Sequence, residues 1–196
     1  MKQYRKQRIV QVGACVAACF LPGLAFAHPG HGTGGFLEGW AHPFGGLDHM
    51  VGMVSMGIWT AMASSYRQRA AVLAAFLAGM LVGGLLGMQG LSPSWVESPL
   101  IASVLATGTL LLWAKPCPIS VRMLVAACFA MWHGLAHGLE IPAMAGPSSY
   151  VAGFMLATGL LLSLGVAMGQ WIHRSLSRTR WAGAGVLGLA LVVMGS

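Results

Sequence analysis

The sequence predicts an all-α fold: a polytopic membrane protein with a six-helix transmembrane bundle after a cleaved signal peptide. Composition gives the first two observations behind this prediction. Of the 196 residues, 57% are hydrophobic and only 8% are charged, whereas soluble domains carry about 25% charged residues. The third observation is that apolar segments of membrane-spanning length recur along the chain, as in membrane proteins that cross the bilayer several times.

The first 27 residues are organised like a secretory signal peptide. Basic residues precede an apolar stretch at 9–24, and Ala-Phe-Ala at 25–27 is the small-x-small pattern of a signal-peptidase site. Cleavage there would leave His28 as the first residue of the mature protein, and residues 28–196 would form a single six-span domain. A lipoprotein-type site at Cys19 and an uncleaved anchor are the alternatives.

Six apolar segments follow, at about 36–64, 70–91, 98–114, 119–140, 149–172 and 181–195. A transmembrane helix needs roughly 20 residues, so some of these segments are just long enough and the last is short. Glycines four residues apart in the second and fifth segments predict close backbone contact between helices. They are Gly79, Gly83, Gly87, Gly165 and Gly169.

The distribution of basic residues predicts how the segments cross the membrane. After residue 27, all seven Lys and Arg lie in the connections 65–69, 115–122 and 173–180, while the connections 92–98 and 141–148 contain none. This positive-inside pattern places both termini of the mature chain on the periplasmic or external side. The net charge of +7 therefore indicates topology, because nucleic-acid binding would need a basic stripe interleaved with aromatic residues.

Two short blocks, His42 to His49 and His133 to Glu140, contain four of the seven histidines and two of the four acidic residues. Ionisable side chains in a membrane span cost roughly 2.5–3.5 kcal/mol each on insertion scales, so they usually mark an ion path or a metal site. Imidazole together with carboxylate is a ligand set for divalent transition metals. The predicted topology puts both blocks at the outer end of their segments, at a similar depth.

Helical periodicity groups the candidate ligands into two stripes, because residues four and seven apart lie on one helical face. The stripes are His133, His137 and Glu140 in the fourth segment, and Glu38, His42 and His49 in the first. The helix of the first segment can break at Pro43 and the glycines that follow it. Asp48 would point away from His49 on an unbroken helix, so it either supports a histidine or binds the metal after a kink.

Other polar residues have weaker signals. If cleavage leaves His28 at the N-terminus, its free α-amine and imidazole could chelate a metal together with His31. His173 lies beside Arg174 and is predicted to be an interface residue, and the methionines are predicted to fill the core. For both histidine blocks the alternative is an interhelical hydrogen-bond network without metal, since polar side chains also join membrane helices.

At the two blocks the sequence resembles the HupE/UreJ family of nickel and cobalt permeases. The family motif His-Pro-x-x-Gly-x-Asp-His matches the segment from His42 to His49. The motif aromatic-His-Gly-x-Ala-His-Gly-x-Glu matches the segment from Trp132 to Glu140, with Trp in place of the usual Phe. The resemblance covers essentially the whole mature chain. It implies a cleaved signal, six spans and transport of nickel or cobalt.

We therefore predict a bacterial inner-membrane permease, not an enzyme, that moves Ni²⁺ or Co²⁺ from periplasm to cytoplasm. Its expected partners are the transported ion and the lipid bilayer, with no nucleic acid and no tightly bound cofactor; homo-oligomerisation is left open. Lys115 follows Ala114 rather than Gly, so the mature chain has no P-loop for ATP. The candidate metal ligands are His42, Asp48, His49, His133, His137 and Glu140, followed by Glu38, His28 and His31.

Two other functions could use the same cluster. An intramembrane zinc hydrolase would bind zinc through three of the histidines and use Glu140 or Asp48 as the base that activates water. A small bundle with few loops leaves little room for a substrate-binding domain, which argues against it. A metal sensor, or a non-transporting subunit of a larger complex, is the third interpretation.

Overall fold

The computed structural model describes residues 35–94, 97–141 and 146–195. The predicted signal peptide at 1–27 and the candidate ligands His28 and His31 lie outside the described residues. The described part of the chain consists of seven α-helices and one 3-10 turn, without strands. These elements are α1 (Gly35–Ala41), the 3-10 turn (His42–Phe44), α2 (Leu47–Thr60), α3 (Tyr66–Met88), α4 (Glu97–Trp113), α5 (Ile119–Leu139), α6 (Pro147–Ile172) and α7 (Leu176–Gly195).

Three of these helices are long and apolar enough to cross a membrane. They are α3, α5 and α6, with 23, 21 and 26 residues. α4 is also apolar, from Ser98 to Trp113, but it is shorter than these three helices. The predicted all-helical class is thus confirmed, whereas the count of six spans stays a prediction.

The first predicted segment, 36–64, is not one continuous helix. The chain leaves α1, passes through the 3-10 turn and enters α2 only at residue 47. Pro43 explains the break, because proline has no N–H to donate and its ring clashes with the carbonyl four residues earlier. Gly46 then has an extended backbone with φ −121° and ψ 131°, and its carbonyl accepts the N–H of Met50 at 3.1 Å. Glu38, His42 and His49 therefore do not share one continuous helix, and the break that the sequence allowed at Pro43 is present.

Two helices begin well before their predicted starts at 70 and 181, α3 at Tyr66 and α7 at Leu176. Capping explains the start of α3. Ser65 Oγ accepts the N–H of Gln68 at 3.2 Å, and Gln68 Oε1 accepts the N–H of Ser64 at 3.1 Å. Reciprocal bonds of this kind satisfy the free donors of a helix N-terminus. Arg67 and Arg69, which were predicted to lie in a connection, therefore lie in the first turn of α3.

The helices associate mainly as pairs. α3 runs parallel to α5, α6 runs parallel to α1 and α2 in succession, and α4 runs antiparallel to α7. α2 also contacts α4. Its second half is buried in the bundle, where Met53, Met56 and Trp59 are part of the core.

Glycines form the seams of two of these pairs. Gly79, Gly83 and Gly87 of α3 lie so close to α5 that a β-carbon on any of them would overlap a backbone carbonyl oxygen. Gly165 and Gly169 bring α6 comparably close to α2. The predicted role of these glycines in close packing is confirmed. We call the α3–α5 and α2–α6 combinations the glycine-seamed pairs.

Arg122 joins α2 to α5 at the end of the bundle away from the histidine blocks. It was predicted to lie in a connection, but it lies in the first turn of α5 and is only 2% exposed. Its Nη1 donates to the Trp59 carbonyl at 2.9 Å, and its Nε donates to the Cys117 carbonyl at 3.3 Å. The guanidinium also lies 4.7 Å from the centroid of the Trp59 ring. The guanidinium thus contacts the C-terminal end of α2 and the face of an aromatic ring, and both are favourable surroundings for a cation.

Candidate metal centre

The two histidine blocks meet in the structure. α2 and α5 are antiparallel, so the start of α2 faces the last turns of α5. The ring centroids of His49 and His137 are 4.5 Å apart, those of His42 and His137 are 4.6 Å apart, and those of His49 and His133 are 5.7 Å apart. This meeting agrees with the shared depth that the topology predicted.

Two groups of three side chains place their ligand atoms close enough to bind one metal ion. His49, His133 and His137 form the first, which we call the imidazole group. His42, His137 and Glu140 form the second, which we call the carboxylate group. Within each group the ligand atoms lie within 4.8 Å of one another. His137 belongs to both groups.

The bend before α2 orients His49. Asp48 Oδ1 lies 2.9 Å from His49 Nδ1, so the carboxylate accepts the Nδ1–H and leaves the lone pair on Nε2 free. Both side chains fold back over Gly46, where a β-carbon would lie 2.5 Å from Asp48 Oδ1 and 2.8 Å from His49 Nδ1. Asp48 is in neither ligand group, so its geometry matches support of a histidine rather than direct ligation.

On α5, a glycine follows each histidine of the site. His133 and His137 are one helical turn apart and lie against His49. Gly134 and Gly138 are rotated by about 100° from them and lie against α3, where a β-carbon on either would overlap a backbone carbonyl oxygen. One face of α5 thus carries two candidate metal ligands, and the neighbouring face carries the two glycines that pack closely against α3.

A serine that the sequence analysis did not single out holds His133. Ser103 Oγ lies 2.6 Å from the Leu100 carbonyl oxygen and 2.8 Å from His133 Nε2. A carbonyl can only accept, so the hydroxyl donates to Leu100 and His133 Nε2–H donates to the hydroxyl oxygen. This arrangement leaves the lone pair of His133 on Nδ1. Ser103 and His133 are each 3% exposed.

Each imidazole of the first group therefore has a ring nitrogen without a hydrogen-bond partner among the described residues. These buried atoms are His49 Nε2, His133 Nδ1 and both ring nitrogens of His137. Buried polar atoms nearly always have a partner, so each exception needs an explanation. A divalent transition metal would satisfy them, because neutral imidazole nitrogens are its common ligands.

The carboxylate group lies nearer to solvent. Glu140 follows the last residue of α5, and its Oε2 lies 3.6 Å from His137 Nδ1 and 3.1 Å from His42 Nε2. The neighbouring imidazoles of His137 and then of His42 lower the pKa of the Glu140 carboxyl below its ordinary value. The side chains of Glu140 and His42 are 55% and 29% exposed, whereas that of His137 is 2% exposed. An ionised carboxylate is thus presented at the outer edge of the site.

An open pocket leads to the carboxylate group. It has a cavity volume of about 560 Å³, and Glu38, His42, Asp48, His49 and Glu140 contribute to its lining. A divalent ion with six waters occupies about 180 Å³ at ~30 Å³ per water, so the pocket can admit a hydrated ion. Glu38 belongs to neither ligand group, and it lies on α1, separated from α2 by the 3-10 turn.

Aromatic side chains of α6 close one side of the site. The Phe154 ring centroid lies 4.4 Å from that of His137, and the Tyr150 ring centroid lies 5.9 Å from that of His42. Sequence reasoning missed these two residues as well as Ser103. Two aromatics four residues apart at the outer end of the fifth segment were a usable signal, whereas a single serine in an apolar helix gives none.

The seven Lys and Arg of the described residues lie at the opposite end of the bundle from both ligand groups. They follow α4 and α6 or lie in the first turns of α3, α5 and α7. His173 follows α6 at this same end, outside the site, as predicted. The residues concerned are Arg67, Arg69, Lys115, Arg122, Arg174, Arg178 and Arg180. The free cysteines Cys117 and Cys128 belong to neither ligand group.

Comparisons with known proteins identify relatives of the chain. The family model described as HupE / UreJ protein matches residues 16–194. Protein HupE of Rhizobium leguminosarum bv. viciae is 38% identical over 160 residues, which cover 81% of this chain and 82% of that protein. No solved structure matches the chain.

Proposed function

The chain belongs to the HupE/UreJ protein family, and from this premise we propose that it is a permease for Ni²⁺ or Co²⁺. The family match confirms the resemblance inferred from the two sequence motifs. The observation that carries the proposal is a set of buried ring nitrogens on three adjacent imidazoles that have no hydrogen-bond partner within the described part of the chain. Such a site binds a metal ion through neutral ligands inside an apolar bundle.

The ligand chemistry favours a first-row transition metal. Imidazole suits nickel and its neighbours, whereas all-oxygen sites suit magnesium and calcium. No thiolate belongs to either ligand group, and a permease needs binding that is weak enough for release. Nickel and cobalt are adjacent in the divalent affinity series, so these ligands accept either ion.

We propose that the ion enters from the periplasmic side of the inner membrane. The open pocket and the acidic residues lie at one end of the bundle, and the basic residues that the structure describes lie at the other. The positive-inside rule would set the basic end in the cytoplasm. In this topology α1 and α2 together form the first of six spans, the signal peptide at 1–27 is removed, and both termini are outside. His28 and His31 would then add an external chelate.

The residues of the site divide the work of capture. Glu140 and His42 meet the hydrated ion at the pocket and replace part of its water shell with oxygen and nitrogen ligands. The Glu140 carboxylate attracts the dication, and the buried imidazoles stabilise it after water is lost. Asp48 keeps the lone pair of His49 on the nitrogen that the ion uses. The comparisons lend no support to the alternative of a zinc hydrolase.

Nickel accumulation by cells that express single variants tests the proposal. His42→Ala, His49→Ala, His133→Ala and His137→Ala should each reduce accumulation sharply at unchanged protein abundance. His173→Ala is the matched control, because it removes an imidazole at the opposite end of the bundle, and it should transport like the wild type. Adding His133→Ala to His49→Ala should cause little further loss, since groups that act as one unit are non-additive.

The purified protein in liposomes separates transport from other roles. Nickel should enter these vesicles without any other protein, which a sensor or an accessory subunit would not achieve. If the four histidine variants transport normally but unfold at lower temperature in detergent, the histidines only join helices and the permease proposal is wrong.

A further inference from the structure

His137 connects two ligand groups that differ in chemistry and in access to solvent. The carboxylate group borders the open pocket, and its Glu140 side chain is more than half exposed. The imidazole group contains imidazole rings alone, and its members His133 and His137 are buried. The site therefore has an exposed part that includes a carboxylate and a buried part that consists of imidazoles.

The shared histidine prevents both groups from holding an ion at the same time. A neutral imidazole has one N–H and one free lone pair, so His137 can serve only one metal ion. Two dications bound beside one ring would also repel each other strongly in a buried site. The non-shared histidines that lie before and within α2, His42 and His49, have ring centroids 6.3 Å apart, so the two positions are adjacent.

We infer that the two groups are successive stations for a single divalent ion, which stays bound to His137 while it moves from the carboxylate group to the imidazole group. This inference rests on the proposed function, since it describes how the transported ion passes through the site. At the move, His49 and His133 replace His42 and Glu140 as ligands. The ion keeps one protein ligand throughout and never becomes free inside the bundle.

The histidines of the two stations have different supporting contacts, and the difference agrees with movement of the ion from the carboxylate group to the imidazole group. In the imidazole group, Asp48 and Ser103 each occupy one ring nitrogen of a histidine and leave the other free. In the carboxylate group, His42 has the metal-ligand candidate Glu140 as its own ion-pair partner at 3.1 Å. The inner station is thus already arranged for an ion, whereas the outer one must part His42 from Glu140 when an ion arrives.

Nickel binding to the purified full-length protein tests the inference. Equilibrium dialysis should give one Ni²⁺ per chain for the wild type. His137→Ala removes a ligand from both stations. It should therefore weaken binding by more than the roughly 10–100-fold that loss of a ligand's supporting partner causes. His133→Ala and Glu140→Gln each spare one complete station and should still bind one ion, and His173→Ala should bind like the wild type.

X-ray absorption spectra of the nickel-loaded variants show where the ion lies. Glu140→Gln should keep the imidazole-rich spectrum of the wild type. His133→Ala should lose imidazole scattering and gain oxygen ligands, because the ion moves to the carboxylate group. These two spectra remain informative even if His137→Ala fails to fold.

Three results would overturn the inference: two ions per wild-type chain, equal losses of affinity for His133→Ala and His137→Ala, or identical spectra for His133→Ala and Glu140→Gln. Each would indicate either two independent sites or one undivided site. Nickel uptake into liposomes is measured separately. If the wild type takes up nickel but His133→Ala and His137→Ala lose equal affinity, the two-station inference is refuted and the permease proposal is not. If the variants bind nickel as expected but the wild type takes up no nickel into liposomes, the permease proposal is refuted and the two-station inference is not.

Discussion

Removal of one buried hydroxyl should weaken nickel binding without removing any ligand. Ser103 accepts the Nε2–H of His133 and so keeps the lone pair of that ring on Nδ1. Ser103→Ala deletes this acceptor in a place that water does not reach, since both residues are 3% exposed. The ring must then bury an unpaired N–H or change its tautomer.

The expected magnitude follows from the cost of that unpaired donor. A buried donor that loses its partner costs about 1–3 kcal/mol. At about 1.4 kcal/mol per factor of ten, this corresponds to nickel affinity roughly 5–150-fold weaker if the cost falls on the metal-bound state. Loss of an outer partner of a metal-ligating histidine has a measured range of about 10–100-fold, which agrees with this value.

Competition with a metal-binding dye measures the affinity of the purified variants, and uptake kinetics measure the KM for nickel. Ser163→Ala is the matched control, because Ser163 Oγ also bonds a carbonyl of its own helix, that of Gly159 at 2.7 Å, but it is exposed. Ser103→Thr keeps the hydroxyl and should retain more affinity than Ser103→Ala. The reasoning is refuted if Ser103→Ala binds nickel as tightly as the wild type, or if Ser163→Ala loses as much affinity.

Three further predictions concern packing and topology. Gly83→Ala should destabilise the fold by about 1–3 kcal/mol in detergent unfolding, because its β-carbon would overlap a carbonyl of α5. Gly185→Ala, with open space around it, should stabilise α7 by up to about 1 kcal/mol, and equal effects would contradict the seam. Arg122→Lys should lower the melting temperature although the charge is kept, since an ammonium lacks the planar fork that reaches two carbonyls; an unchanged value would mean that these bonds do not matter. Alkaline phosphatase fused after Ser196 should be active in the periplasm, and an inactive fusion would mean that the spans are miscounted.

The fold could be predicted where its causes are local in the sequence. Uninterrupted apolar runs indicate α3, α5 and α6, and a proline within a helix, beyond its first turn, breaks or kinks it, so a break at Pro43 could be anticipated. The early start of α3 was missed because basic residues were assigned to connections, although the Ser65 cap and Gln68 were readable in the sequence. The burial of Arg122 could not be seen, since its acceptor at Trp59 comes from another helix.

The site was predicted only as far as topology could predict it. Alternating crossing directions bring the two histidine blocks to one end of the bundle, and this requires no knowledge of side-chain positions. The rotation of each helix decides the rest. It brings Ser103 of α4 and Phe154 of α6 against the histidines, and it makes His137 common to two ligand groups. A single sequence contains no direct signal for such rotations.

The metal-ligand candidates come from both glycine-seamed pairs, so the site lies where the two pairs meet. His42 and His49 belong to chain that packs on α6, whereas His133 and His137 belong to the helix that packs on α3. Within each glycine-seamed pair, backbone lies against backbone and little can slide. Each ligand group contains residues from both sides of the boundary between the pairs. A bound ion would therefore link the two glycine-seamed pairs to each other. When the ion leaves, the two pairs would lose this link at the outer end of the bundle, while Arg122 would still join them at the other end.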